Sequence, residues 1–259
     1  MGRPLVMPQG QQYDATIKML MRQNELIRAA NKSNAKYYTP GENAMTVSQG
    51  YLESECKLVS TTSAYQFNFN DTKANITNGG AITVNEERLA LQNMFVGFEI
   101  FYGLRIQQTN GGSGVFKDQL FTHPPGQVNS GSNTDTLAAL WNGNYAFQAN
   151  NQPVTVAADL WRHYENPTTQ YPVYGTLSTS ALYPVNDEQY GSTSGWYPVV
   201  PGWIMDGAFN NVINVNFNNS LSGIGLPTAA GSEYRAVIIM RGMLCQNCSE
   251  IMVSGLSQI

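Results

Sequence analysis

Charge is what this sequence has least of. Only 12% of its 259 residues are Asp, Glu, Lys or Arg, about half the share of ordinary soluble domains. Asn, Gln, Ser, Thr, Gly and Tyr stand in their place. A solitary protein draws solubility from surface charge. A subunit flanked by neighbours needs less, because interface centres are depleted of charge and enriched in Tyr, Trp, Phe and Met. The chain holds 14 Tyr, 10 Phe, 4 Trp and 10 Met, which favours an assembly subunit. The competing reading of the same composition is an adhesin or a carbohydrate- or receptor-binding β module of a spike or fibre, which shares such a polar and aromatic surface.

Cysteine and histidine are scarce as well. Cys56, Cys245 and Cys248 are too few for a disulfide framework. The spacing of Cys245 and Cys248 would suit half a zinc site, but no second Cys or His pair completes it. A redox pair would open a helix, whereas this one closes a long apolar segment. The two are therefore read as small buried residues at a strand end, and neither metal nor cofactor is expected. Of the two histidines, His123 lies in a stiff Thr-His-Pro-Pro loop and His163 in Trp161–Glu165. There is no Gly-x-Ser-x-Gly elbow and no phosphate loop. The acidic pairs Glu86-Glu87 and Asp187-Glu188 read as solvated charges in polar loops, although carboxylates that hydrolyse glycosides are brought together in space rather than in sequence. No catalytic residue is assigned and no enzymatic activity or small-molecule substrate is expected. A run of 18 apolar residues is missing, and Met1–Gly10 lacks the apolar core of a signal peptide. These absences point to a protein made in a cytoplasm.

What is present divides at Pro40. Residues 1–40 carry Arg3, Lys18, Arg22, Arg28, Lys32 and Lys36 against Asp14 and Glu25, a net of +4 on a chain whose total is −4. A basic arm on an acidic body points to contact with nucleic acid or an anionic membrane surface. Asp14 is a suitable N-cap for a helix over Asp14–Asn34, with no Gly or Pro before Pro40. Ile17, Leu20, Met21 and Ile27 cluster on one side of it, and Met19, Leu26 and Ala30 lie nearly opposite. A helix apolar on two sides is contacted from two sides.

Beyond Pro40 the pattern turns to short β segments: Ala44–Leu52, Lys57–Asn70, Phe95–Gln108, Asn144–Ala149, Pro153–Ala158, Val212–Asn218 and Glu233–Cys245. Period-two alternation in Tyr65–Asn70 and Ile213–Asn218 predicts strands buried on one face. Asn-Gly and Asp-Gly steps at 78–79, 110–111, 142–143 and 206–207 supply hairpin turns. The expected fold is all-β, a sandwich or barrel. The echo between Phe67–Asn70 and Val215–Asn218, each followed by a long apolar strand, suggests two similar units, 41–135 and 136–259. Trp141, Trp161, Trp196, Tyr197 and Trp203 are read as interface anchors, with a sugar platform or core packing as alternatives. The Pro-rich stretch from Trp196 to Trp203 is read as an inter-subunit loop.

From Glu87 onward the order of features resembles the capsid jelly rolls of tailless phages, in particular the small double-jelly-roll major capsid proteins of lipid-containing, icosahedral Flavobacterium-type phages. The likeness rests on Leu91–Phe95 entering a long strand, Leu140–Tyr145, Trp161–Pro167, and Val200–Trp203 leading to Asp206-Gly207. It covers about two thirds of the chain at the level of pattern. It implies two small jelly-roll barrels, with one elaborated jelly roll as the alternative because the chain is short for two. It also implies a self-assembling bacteriophage structural protein, a homotrimer with neighbouring capsomers as partners, synthesised in the host cytoplasm and located in the virion. Its N-terminal arm would lie beneath, against an internal membrane or nucleic acid.

Overall fold

The computed structural model describes residues 46–70, 86–108, 119–122, 138–164, 195–218, 220–222, 226 and 232–246. The Asp14–Asn34 helix, all six cations of the arm, His123 and Asp187-Glu188 lie outside the described residues.

Among the described residues there are ten strands: β1 (Thr46–Lys57), β2 (Ala64–Asn68), β3 (Met94–Gln108), β4 (Gln119–Phe121), β5 (Gly143–Ala149), β6 (Gln152–Pro153), β7 (Ala158–Asp159), β8 (Trp196–Asp206), β9 (Asn211–Phe217) and β10 (Ser232–Gln246). They form two antiparallel sheets. Sheet A runs β1-β10-β3, with the far edge of β3 shared between β8 and β4. Sheet B runs β2-β9-β5, with β6 and β7 on the far edge of β5. The chain changes sheet between β1 and β2, between β2 and β3, between β4 and β5, and again at β8, β9 and β10.

Pairing crosses the expected seam at 135. β1 pairs with β10 along its whole length and β2 pairs with β9, so each sheet draws strands from both sides of that position. The described strands thus make one two-sheet body and do not divide into a 41–135 unit and a 136–259 unit. The echo that suggested a duplication has a simpler origin. Phe67–Asn68 and the Val215–Phe217 stretch belong to neighbouring strands of one sheet. Both turn aromatic and aliphatic side chains inward and amides outward, so they share a pattern because they share a position.

One core fills the space between the sheets. It joins Leu52, Cys56, Ile100, Tyr102, Ala236, Ile238 and Met240 of sheet A to Tyr65, Phe67, Tyr145, Phe147, Ile213 and Val215 of sheet B. Trp203 of β8 stacks on Phe147 of β5 with centroids 4.9 Å apart, which ties the two sheets together directly. An aromatic side chain buries 150–250 Å², so at about 25 cal/mol per Å² each contributes roughly 4–6 kcal/mol before entropy is counted.

Sheet A is buried on its outer face too. Phe101, Leu120, Val237 and Ile239 form one cluster there, and Met94, Val96, Phe98, Met243 and Cys245 form another. A bulge makes both possible. The register slips between Gly97 and Glu99 on β3 and between Arg241 and Gly242 on β10. The slip switches the outward parity of β3 from even residues before it to odd residues after it. Gly242 faces Gly97 at the slip, and a Cβ on Gly242 would stand 1.8 Å from the Val96 carbonyl oxygen. Only glycine fits so close a backbone approach.

The segment from Trp196 to Trp203, expected as a loop, is instead most of β8 and pairs with β3 from Met94 to Phe101. Its prolines, Pro198 and Pro201, are tolerated because β8 is an edge strand, where a missing N–H breaks no ladder on the open side. Lys57–Asn70 is not one strand either. β1 ends at Lys57, and a turn closed by the Val59 carbonyl accepting from Thr62 N–H, at 3.1 Å, separates it from β2. Pro153–Ala158 contributes only the ends of β6 and β7.

Candidate functional site

The five aromatic residues read as interface anchors occupy different environments. Trp141 is fully buried, edge-on to Tyr102 and Tyr164 at 6.1 and 5.6 Å. Trp203 is buried on Phe147. Both belong to the core, because the fold turns them toward the opposite sheet. Trp196 is half-buried between the Phe101 ring and the Arg241 guanidinium, which lies 3.7 Å from its ring centroid. Tyr197 is half-buried and its hydroxyl accepts from Arg162 at 2.6 Å. Trp161 alone of the five is open, 53% exposed and stacked on Tyr164 at 4.5 Å. Val154 and Val156 join it in the same short stretch at the edge of sheet B, and Val156 is 90% exposed.

The outer positions of β2, β9 and β5 are mostly uncharged amides, with Asp159 of β7 beside Asn144 at the margin. Register places Ala64, Asn216 and Asn144 in one row, Gln66, Asn214 and Ala146 in the next, and Asn68, Val212 and Gln148 in a third. No charged side chain occupies any of the nine positions. A shallow depression of about 410 Å³ opens here, lined by Gln66, Gln148, Asn214 and Asn216 around the small side chains of Ala64 and Ala146.

At one end of the sandwich His163 is fully buried among Tyr102, Tyr145 and Tyr197, whose ring centroids lie 6.5, 5.5 and 6.2 Å away. Its Nδ1–H donates to the Gly195 carbonyl at 2.8 Å, which leaves Nε2 as a bare acceptor without a hydrogen-bond partner. Burial, helped by the Arg162 charge, lowers its pKa to about 4. The imidazole is thus held neutral, and being fully buried it is out of reach of any substrate in solution. Burial also lifts the Tyr145 hydroxyl to about 12 and raises Tyr102 well above the ordinary tyrosine range.

The most highly charged constellation was not assigned from sequence. Glu53 and Glu55 project from the outer face of β1 onto Arg105 of β3, which pairs with both. Glu86, expected in a solvated loop, has a side chain only 1% exposed and pairs with Arg88 at 2.5 Å. It also accepts the Glu55 backbone N–H at 2.7 Å. Arg88 donates in turn to the Asn68 carbonyl. At the rim, Glu233 pairs with Lys57 at 2.7 Å and with Arg235 at 3.0 Å. Burial pushes the Glu53 pKa up to about 7 against the pull of Arg105, and burial raises Glu55 as well. Glutamates at alternate positions of a strand whose other face is Leu52 and Cys56 were the available signal. They read as solvent-facing because nothing local indicates that sheet A is covered on both sides.

Cys56 is free and buried, and its thiol donates to the Gln66 carbonyl at 3.3 Å. Cys245 is disulfide-bonded, and Cys248 lies outside the described residues. Cys245 is buried at the end of β10 as expected of a small strand-end residue, but its sulfur is bonded rather than merely packed. Among the described residues no group of three His, Cys, Asp or Glu side chains could hold a metal, and no helix is long and apolar enough to cross a membrane.

Comparison with protein-family models, with curated proteins and with solved structures returned no match.

Proposed function

We propose that this chain is a self-assembling capsid subunit of a viral shell, built on one jelly roll. The strand order carries the reading. Taken in chain order, with β6 and β7 counted as one interrupted strand and β4 as a short addition, the eight principal strands divide four and four between the sheets. They place first, eighth, third and sixth (β1, β10, β3, β8) opposite second, seventh, fourth and fifth (β2, β9, β5, β6/β7). That wiring is the two-Greek-key pattern of a jelly roll, which recurs in viral capsids and in lectins. Fold alone does not decide function. The low charge supports the shell, as do the uncharged outer positions of β2, β9 and β5 and the apolar stretch at Val154, Val156 and Trp161. Such surfaces suit burial against neighbours. The basic arm, with Arg3, Lys18, Arg22, Arg28, Lys32 and Lys36, would contact membrane or nucleic acid inside the shell, and no catalytic residue is assigned.

The purified chain is expected to sediment as an oligomer, a trimer in this reading, at micromolar concentration. Val156→Asp and Trp161→Ala should weaken that assembly while changing stability by no more than about 0.5 kcal/mol, as surface substitutions do. A soluble species with the mass of one chain, unaffected by either substitution, would remove the capsid reading.

The amide-lined depression on sheet B favours a second reading, a sugar-binding module, because carboxamides both donate to and accept from hydroxyls. Monomeric behaviour combined with millimolar or tighter glycan binding, lost in Asn214→Ala, would select it.

A further inference from the structure

β1 is the outermost strand of sheet A. It pairs with β10 from Thr46 to Lys57 and has no strand on its other side among those described. A short strap, Glu86 to Leu89, grips that outer edge over part of its length. Glu53 N–H donates to the Glu87 carbonyl at 2.9 Å, and Glu87 N–H returns the bond at 3.1 Å. Glu55 N–H donates to the Glu86 carboxylate at 2.7 Å. The strap then leaves β1, and Leu89 N–H donates to the Phe69 carbonyl at 2.7 Å. These bonds fix the direction of the backbone. Glu53 and Glu55 turn their N–H groups away from β10, and in an antiparallel ladder every second residue does so. β1 runs against β10 without a bulge, so Val47 and Gln49 share that outward direction.

The other described edges are guarded. β4 has three residues, and β6 and β7 have two each. β8 holds Pro198 and Pro201. On β2 the Gln66 and Asn68 carbonyls accept from the Cys56 thiol and from Arg88. Short strands, proline and covering groups are the means by which sheets avoid pairing with another chain. The 46–52 stretch of β1 has neither charge nor proline, and Ser48, Gln49 and Tyr51 are exposed, Tyr51 by 52%.

We propose that the 46–52 edge of β1 pairs antiparallel with the same edge of a second copy, about a two-fold axis at Gln49, so that sheet A continues through both molecules. A two-fold contact sets each residue against itself or against its mirror position. Gln49 then faces Gln49, Ser48 faces Gly50, and Val47 faces Tyr51 of the second copy. Like charges in direct opposition weaken a strand pair, so a neutral stretch is what self-pairing requires. A carboxamide both donates and accepts, which makes Gln49 complementary to its own copy. The strap holds Glu53 and so stops the pairing at Leu52. An edge of this length spans about 24 Å and buries less than the roughly 1,200 Å² of a stable contact. The pair therefore gains strength with concentration and inside an assembly.

Hydrogen exchange at the Gln49 amide of the full chain tests this. That N–H points away from β10, so its protection reports the outer edge and not the ladder within the subunit. Once pairs prevail, the unpaired fraction falls as the square root of concentration. Raising the protein concentration about a hundred-fold should then raise protection about ten-fold. Equal protection at every concentration would mean that the chain covers its own edge, and no protection at millimolar protein would mean that nothing pairs there. Either result overturns the proposal. Gln49→Lys sets like charges face to face on the axis and should abolish the rise, and an undiminished rise also overturns it. Gln49→Cys should form a disulfide-linked dimer under mild oxidation, because opposed Cα atoms of a hydrogen-bonded pair stand about 5.5 Å apart. Val59→Cys, at a position 40% exposed but past the strap, should not, and equal yields from the two would refute the pairing. Neither Gln49 variant touches Val156 or Trp161, so failure of this pair and failure of the assembly proposed above are separate results.

Discussion

Arg105→Leu is expected to destabilise the protein by about 3–5 kcal/mol at neutral pH. The substitution leaves Glu53 and Glu55, both buried, without the guanidinium that pairs with each of them. An uncompensated buried carboxylate either bears a large desolvation cost or takes up a proton. The loss should therefore shrink in acid, where both glutamates are protonated. The triple variant Arg105→Leu, Glu53→Gln, Glu55→Gln removes the charges together and should recover most of the stability, since apolar or neutral replacement of a whole buried ion cluster is often tolerated. Urea unfolding at pH 5 and pH 8 measures both effects through the midpoint. A cost below about 1 kcal/mol for Arg105→Leu at pH 8 would mean that the cluster is hydrated in solution.

The second large effect is a pair of opposed pH dependences hidden in one flat profile. His163 is held neutral when folded, with a pKa near 4 against 6.5 when free. The unfolded chain binds the proton first, so the stability due to neutral His163 is present above 6.5 and is lost as pH falls toward 4. That difference corresponds to about 3 kcal/mol. Glu53 runs the other way over nearly the same range. Its folded pKa is raised, so its contribution is present below 4.5 and is lost as pH rises to about 7. The unaltered protein should show little net slope from these two groups. His163→Gln, which keeps a donor for the Gly195 carbonyl but does not titrate, should become less stable relative to the unaltered protein as pH rises. Glu53→Gln should become more stable over the same interval. Subtracting the unaltered protein's profile from each variant's removes the background of distant carboxylates. Parallel profiles for all three proteins would show that neither side chain keeps its buried state in solution.

Local pattern was enough to locate most of the long strands. The spans expected for β3, β5, β9 and β10 differ from those observed by at most one residue at each end, because period-two alternation and long apolar runs are properties of neighbouring residues. The Asp206-Gly207 turn was legible for the same reason. Asp206 caps it by accepting from Ala208 N–H at 2.8 Å, and Asn211 and Asn70 satisfy its carbonyls. β8 was missed because proline argues against a strand unless the strand is known to be at an edge, and edge position is decided by which strands meet. The same holds for Trp141 and Trp203. Large aromatic residues suit a core and an interface equally, and only the opposing sheet settles which they serve. The charge cluster is the clearest case. Residues 53, 55, 86, 88 and 105 are ordinary polar positions along the chain, and they become a buried site only where β1, β3 and the 86–89 strap converge over the covered face of sheet A. Sequence alone determined the alternation, the turns and the scarcity of charge. Tertiary structure decided strand order, burial and the protonation of Glu53 and His163, since these depend on contacts between segments far apart in the chain.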